Sequence, residues 1–470
     1  MIPPVEAAGL ESASRYKGRS GHTKFMGGTP FVAEERGSPA SPLQPGRHFG
    51  VRVVDAATGR GVPLVELRTT SDLRFITDSA GWVAFYEPGL MDSKVWFGIK
   101  SHGYDYPKDG FGYQGVVLTP KAGTTAIVKL PRKNLAERLY RVTGEGIYRD
   151  SLLLGKPAPA GIAQLNGRVM GQDSMLAALY KNKLYWFWGD TARPEYPLGQ
   201  FGTSGATSSP KDNPDEAIRL RYFTDEKTGF SRPMFPKPKG SGPVWITGLA
   251  VIEGGEKLVC FYSRMKDLGT CVERGLAVFN DAKACFEPIA EFDPTKPEPL
   301  TGHPFLHDGW LYGTYDGGAP LPCIRVKPTL AALKNLKNYV QVAEPTLRLK
   351  DALTGAPVQN HGGSVFWNAY RQRWVMIVLQ KFGKSSNVGE VWYAEAKAHT
   401  GPWERAVQIV THDKMDFYNV TQHPYFDRGR FVYFEGTYVN TFSGNPDPTP
   451  RYNYNQILYR LDLEEKRLRV

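Results

Sequence analysis

Between residue 48 and about residue 131, apolar and polar side chains alternate in short runs. HFGVRVVDA, PLVELRTT, RFITD, GWVAFYE, KVWFGIKS, QGVVLT and TAIVKLP each carry β-branched or aromatic residues at period two. TGRG, DSAG, EPG and KAG separate them, as tight β connections require. Seven short strands predict a small β-sandwich over 48–132. Residues 1–47 are rich in Gly, Ser and Pro without a period, and read as an extended arm. Residues 133–160 read as a linker with one helical turn, bounded by Lys-Pro-Ala-Pro-Ala.

From 161 to 470 a weak repeat takes over. HPFLHDGWLYGTY (303–315) and HPYFDRGRFVYFEGTY (423–438) share a His-Pro start, an aromatic strand, a Gly turn and a Gly-Thr-Tyr ending. HGGSVFWNAYRQRWVMIVLQ (361–380), DSMLAALYKNKLYWFWGDT (173–191) and TGLAVIEGGEKLVCFYS (247–263) have the same layout. The starts at 173, 247, 303, 361 and 423 are 74, 56, 58 and 62 residues apart, a spacing that predicts five propeller blades. The fold class expected is therefore all-β: a small N-terminal β-sandwich followed by a five-bladed β-propeller. TLAALKNLKNY (329–339) adds one amphipathic helical insertion to the third blade.

Composition narrows the function classes. The net charge of +11 is dispersed, with PRKNL and EEKRLRV as its longest expressions, so nucleic acid is not an expected partner. No apolar run reaches the roughly 20 residues of a membrane span. The N-terminal sequence lacks the apolar centre of a secretion signal, although the chemistry below suits a periplasmic or secreted protein. Cys260, Cys271, Cys285 and Cys323 form no metal or redox spacing and read as buried thiols.

Two resemblances follow. VVDAATGRGVPLVEL followed by TDSAGWVAF resembles the transthyretin-like, or carboxypeptidase-regulatory-like, sandwiches, which implies an accessory module. The propeller is similar to the five-bladed propeller glycosidases of the arabinanase and furanosidase superfamily, most clearly in NVGEVWYAEAKAHTGPWE (387–404). It also resembles endo-D-arabinanase-like propellers, in which an acidic residue opens the first blade and "GD[ST]" ends its next strand. That likeness implies roles for Asp173 and Asp190. The chain departs from the furanosidase pattern at the second blade, where TGLAV supplies no acid.

In a propeller, the mouth ends of the inner strands converge on a central funnel, which here would gather Asp173, Thr247, His303, His361 and His423. Three readings of the histidines stay open: a divalent-metal cage on the axis, polar contacts to substrate hydroxyls, or satisfaction of backbone groups in turns. Glycoside hydrolysis needs two carboxyl groups. Asp173 is the expected base. The acid is expected to be Asp190, which follows the aromatic strand LYWFWG, or Glu390, with Glu435 at the matching place in blade five. Glu395 replaces Glu390 if the register slips. Aromatic rings suit sugar C–H faces, and Trp188, Trp245, Trp367 and Tyr418 are the expected platforms. In the long loop after 441, Arg451 suits an anionic group, while Tyr452, Tyr454 and Gln456 anchor the loop.

The sequence thus points to a glycoside hydrolase taking a neutral or anionic glycan and needing either no cofactor or one divalent metal. The competitors are a metal-assisted polysaccharide lyase built on the histidines and a non-catalytic glycan-binding propeller.

Overall fold

The computed structural model describes residues 46–469 except 163, 201, 236–239, 268, 315–320, 343–346, 442, 446–448, 450 and 451, together with the backbone alone of 196–200. The expected arm lies outside the described residues, save its last two positions. Among the described residues no helix is long and apolar enough to cross a membrane.

The N-terminal strands form two facing sheets. Trp82–Phe85, Phe49–Asp55 and Thr125–Leu130 make one, in that spatial order. Arg74–Ile76, Glu66–Thr69, Val95–Lys100 and Gly115–Leu118 make the other. Alternation decides which residues meet: Val51, Val53, Leu67, Phe85 and Phe97 are buried between the sheets. The Phe85 and Phe97 rings cross edge to face at 5.1 Å. Asp78 ties the TD..G turn, its Oδ1 accepting from the Ala80 and Trp82 amides at 3.0 Å. Its Oδ2 accepts from the amide and hydroxyl of Ser151 at 2.7 Å, which fastens the short helix Arg149–Leu153 to the sandwich.

Five further sheets of four or five strands follow, each built on three antiparallel strands taken in chain order. Their inner strands are Leu176–Tyr180, Val244–Ile252, Thr301–His307, Asn360–Asn368 and Asp416–Gln422. Each of the first four lies beside the next in order, which is the propeller arrangement. Blade four carries an extra strand, Leu347–Asp351, parallel to Trp403–Val410. The expected insertion in blade three is two short pieces, Leu330–Leu333 and Leu336–Asn338, because Asn335 caps a new turn on the Lys337 amide at 3.1 Å.

The segment expected as a linker, 133–160, has a different role. Glu137–Arg141 is the outer strand of blade five, antiparallel to Asn455–Asp462. The ring is thus closed by chain that precedes blade one. ERLYR is buried at every position although three of its five side chains are charged, so no alternation of apolar and polar residues betrays it as a strand. Arg141 donates to Asn455 Oδ1 at 3.0 Å and lies 3.8 Å over the Tyr452 ring. The seam between blades five and one is filled by Leu139, Trp186, Trp188, Phe426 and Tyr433. On its other side blade five packs against Leu64 and Ile76 of the sandwich.

Candidate active site

The inner strands share a device at their mouth ends. In blades two to five the pairing register slips there, between Thr247 and Ala250, Thr301 and Phe305, Asn360 and Gly363, and Tyr418 and Thr421. In four blades the slip or strand start is marked by a left-handed residue: Ser174 (φ 55°), Gly248 (φ 59°), Gly302 (φ 70°) and Asn419 (φ 53°). A bulge re-aims the residue before it. The equivalent positions are therefore Asp173, Thr247, Thr301 and Tyr418. Glycine is needed at 302, where a Cβ would stand 2.8 Å from Thr314 Oγ1. Ser174 and Asn419 are paired through an amide-to-hydroxyl hydrogen bond of 2.7 Å. The five mouths surround a cavity of about 480 Å³ that Ser174, Thr247, His303, Gly363 and Asn419 help to line.

Asp173 and Asp190 meet just behind two of its lining residues, Ser174, which follows Asp173, and Trp245, which bonds Asp190. Asp173 Oδ1 accepts from the Asp190 amide at 3.1 Å, and its Oδ2 accepts from the Tyr418 hydroxyl at 2.9 Å. Asp190 Oδ1 accepts from Trp245 Nε1 at 3.1 Å and from the Gly202 amide at 3.3 Å. A side chain at Gly189 would strike the Asp173 carboxylate, which explains the glycine of the Gly-Asp-Thr sequence. Burial, then the neighbouring Asp190 charge, pushes Asp173 up to about 6. Burial also raises Asp190, but the Trp245 and Gly202 donors favour its charged form. The Tyr418 and Tyr454 phenols are driven far up, first by burial and then by Asp173, so both stay donors. Tyr454, expected only to anchor its loop, reaches the Asp190 carbonyl at 3.0 Å.

The other expected residues scatter. Glu390 starts the third strand of blade four, held by Ser385, Gln408 and, at 3.0 Å, Thr411, away from Asp173. Glu395 pairs with Arg371 at 2.6 Å. Glu435 is fully buried with His423, Nε2 to Oε2 3.3 Å. His423 lies beyond the far end of the inner strand Asp416–Gln422, against Trp186, and not at the mouth. Blade five's His-Pro belongs to the turn after the strand, whereas blade three's lies within it. His303 lines the cavity with Nδ1 3.2 Å from Thr421 Oγ1, and burial lowers it to about 4, so it is neutral at pH 7. His361 is exposed. The three do not form the expected cage: among the described residues no three His, Cys, Asp or Glu side chains group closely enough to hold a metal ion.

Of the expected platforms, Trp245 lines the cavity and Tyr418 holds Asp173. Trp188 is instead buried, stacked 6.4 Å from Trp186 in the closing seam. Trp367 is exposed but sits at the far end of its strand, beside Trp374. Arg451 lies outside the described residues.

One charged group in the cavity was not anticipated. Glu298 Oε1 accepts from Arg274 at 3.2 Å and from Ser263, and all three line the wall. Glu298 lies in irregular chain just before blade three, and Arg274 is on the third strand of blade two, so no local pattern joins them. The sequence does carry one signal for the mouths, the pairs Thr-Gly, Thr-Gly and Tyr-Asn, whose second members tolerate the left-handed region; Asp-Ser makes the same step without such a residue.

No family model matches the chain, and no curated protein matches it. Among solved structures it is similar to an exo-1,5-α-L-arabinanase from a bovine ruminal metagenomic library, at 12% identity over 63% of this chain and 95% of that one, TM-score 0.37. It is also similar to the GH43_1 enzyme from Xanthomonas citri complexed with xylotriose, at 12% identity over 64% and 88%, TM-score 0.36. A third is an exo-β-1,3-galactanase from Clostridium thermocellum, at 11% identity over 64% and 61%, TM-score 0.39. Likenesses this distant leave the chemistry to be argued from the site.

Proposed function

We propose that this protein is a glycoside hydrolase whose reaction takes place at the rim of the propeller funnel. The observation that carries the reading is the pair Asp173 and Asp190, adjacent and in unlike surroundings. Cleavage of a glycosidic bond needs one carboxyl group protonated and one ionised. Asp173 is the more deeply buried, and its neighbour's charge disfavours a second anion beside it, so it holds the proton. Asp190, with two N–H donors on one oxygen, holds the charge. The roles expected from the sequence are therefore exchanged in this proposal. Asp173 gives its proton to the glycosidic oxygen as the anomeric C–O bond breaks. Asp190 takes a proton from the water that attacks the anomeric carbon.

Trp245 orients Asp190 and offers its ring to the cavity. Ser263, Thr247, Thr301 and Asn419 supply hydroxyl and amide groups for sugar hydroxyls. The lyase reading needs the histidine cage and has no observation in its favour. We read the sandwich as a transthyretin-like accessory module and, since a polymeric substrate is met outside the cytoplasm, the protein as periplasmic or secreted.

The test is release of reducing ends from a panel of plant and bacterial glycans. Turnover abolished by Asp190→Asn supports the proposal. Binding without turnover on every glycan leaves the propeller a binding protein, and products with an unsaturated ring point to elimination. Trp245→Phe keeps the ring and removes one donor from Asp190. It is expected to lower kcat by about tenfold and to move the acidic limb of the pH–rate profile upward. An unchanged profile would separate Trp245 from the base.

A further inference from the structure

The sandwich presents a second surface, on the outward face of its four-stranded sheet. Along Val95–Lys100 the side chains of Val95, Phe97 and Ile99 enter the core, so Trp96 points away from it. The indole lies across the neighbouring strand, over the position opposite Gly98. That position is Gly115, where a Cβ would stand 2.7 Å from Trp96 Cε2, so only glycine beds the ring against the sheet. Directly opposite Trp96 is Val117, 53% exposed. Next along the edge are Tyr113 at 67% and Phe111 at 91%, fixed by a turn in which Asp109 Oδ1 accepts both their amides at 2.9 Å. The far end of the same face is covered, because Ile76 packs into blade five.

Large apolar side chains grouped on a free face mark a contact surface. The charges around them favour one kind of occupant. On this face the alternation sends out Arg68, Arg74, Lys94 and Lys100 against Glu66; Asp72 is paired with Arg68 in the adjoining turn, and Asp109 is held by the Phe111 and Tyr113 amides. A ring laid along the sheet suits the flat C–H face of a sugar, and the surrounding cations suit acidic groups at intervals along a chain. We propose that this face binds an acidic polysaccharide, with Trp96 and Tyr113 stacking on successive sugars. The site is separate from the funnel, and the proposal stands whether or not the funnel hydrolyses anything.

Affinity electrophoresis of the full chain in gels containing polygalacturonate, or neutral arabinan as comparison, tests it. Polygalacturonate is expected to retard the protein strongly and arabinan weakly, and added salt should release it. Trp96→Ala should weaken retardation by about tenfold, since aromatic anchors dominate such contacts. Tyr113→Ala, in an exposed turn where folding is not at risk, should weaken it by about threefold. Trp96→Ala should turn over short oligosaccharides at the parent's rate while losing retardation, which separates this surface from the funnel. Equal retardation of the parent and both aromatic variants would overturn the proposal, as would equal retardation by arabinan. A dimer that Trp96→Ala converts to monomer, with no retardation by either glycan, would assign the face to a second copy of this chain instead.

Discussion

Asp173→Asn is expected to lower glycan hydrolysis by a factor of about 10²–10⁴, the range over which a positioned general acid contributes. The fold should gain from the same change. The carboxyl is held up to about 6 in the folded protein, first by burial, against an ordinary value of 3.8. Its raised value means that the neutral form is the one the fold prefers. The stability this confers is complete below pH 4 and is lost as pH rises through 6. An asparagine cannot ionise, so the variant should equal the parent near pH 4 and exceed it by about 2–3 kcal/mol at pH 8. Calorimetry at the two pH values alongside a reducing-end assay reads both effects. A variant that keeps full turnover removes Asp173 from the chemistry. One that is less stable than the parent at pH 8 shows that the buried carboxylate is held better than its surroundings suggest.

Trp186→Ala should cost about 3–5 kcal/mol, as removal of a wholly buried indole does when the cavity cannot collapse. Trp186 donates to Ser208 at 2.8 Å, stacks on Trp188 and meets the His423 ring at 5.2 Å, so its loss empties the seam where the ring closes. Urea unfolding measures the cost. A loss under about 1 kcal/mol would mean that blades five and one repack around the vacancy.

The seven sandwich strands were readable because one face of each sheet turns away from the core, so that Val95, Phe97 and Ile99 alternate with Trp96, Gly98 and Lys100. The propeller offered that signal less often. Trp186, Phe187 and Trp188 are buried in succession at the end of Lys183–Trp188, so nothing along LYWFWG tells that Trp188 enters the seam while Trp245 reaches the cavity. Five repeats were visible, yet their alignment on His-Pro misplaced His423, because blade five's pair follows its strand and blade three's is inside. Left-handed steps were the better guide, and they pick out Asp173 and Tyr418, which touch. The Glu298–Arg274 pair joins chain from two blades and has no local trace.

The placement of Glu137–Arg141 bears on how the protein is made. A ribosome delivers this strand early, but its partner around Asn455 emerges more than 300 residues later. At 5–20 residues per second the wait is about 15–60 s. Throughout it the strand's edge stays open to wrong partners. Arg138, gripping Ser101 at 2.7 Å and His102, already docks the strand on a module that can be finished before blade one begins. The sandwich would then serve as a holder during synthesis, and forms of the protein shortened to begin at blade one would lose the strand that completes the circle.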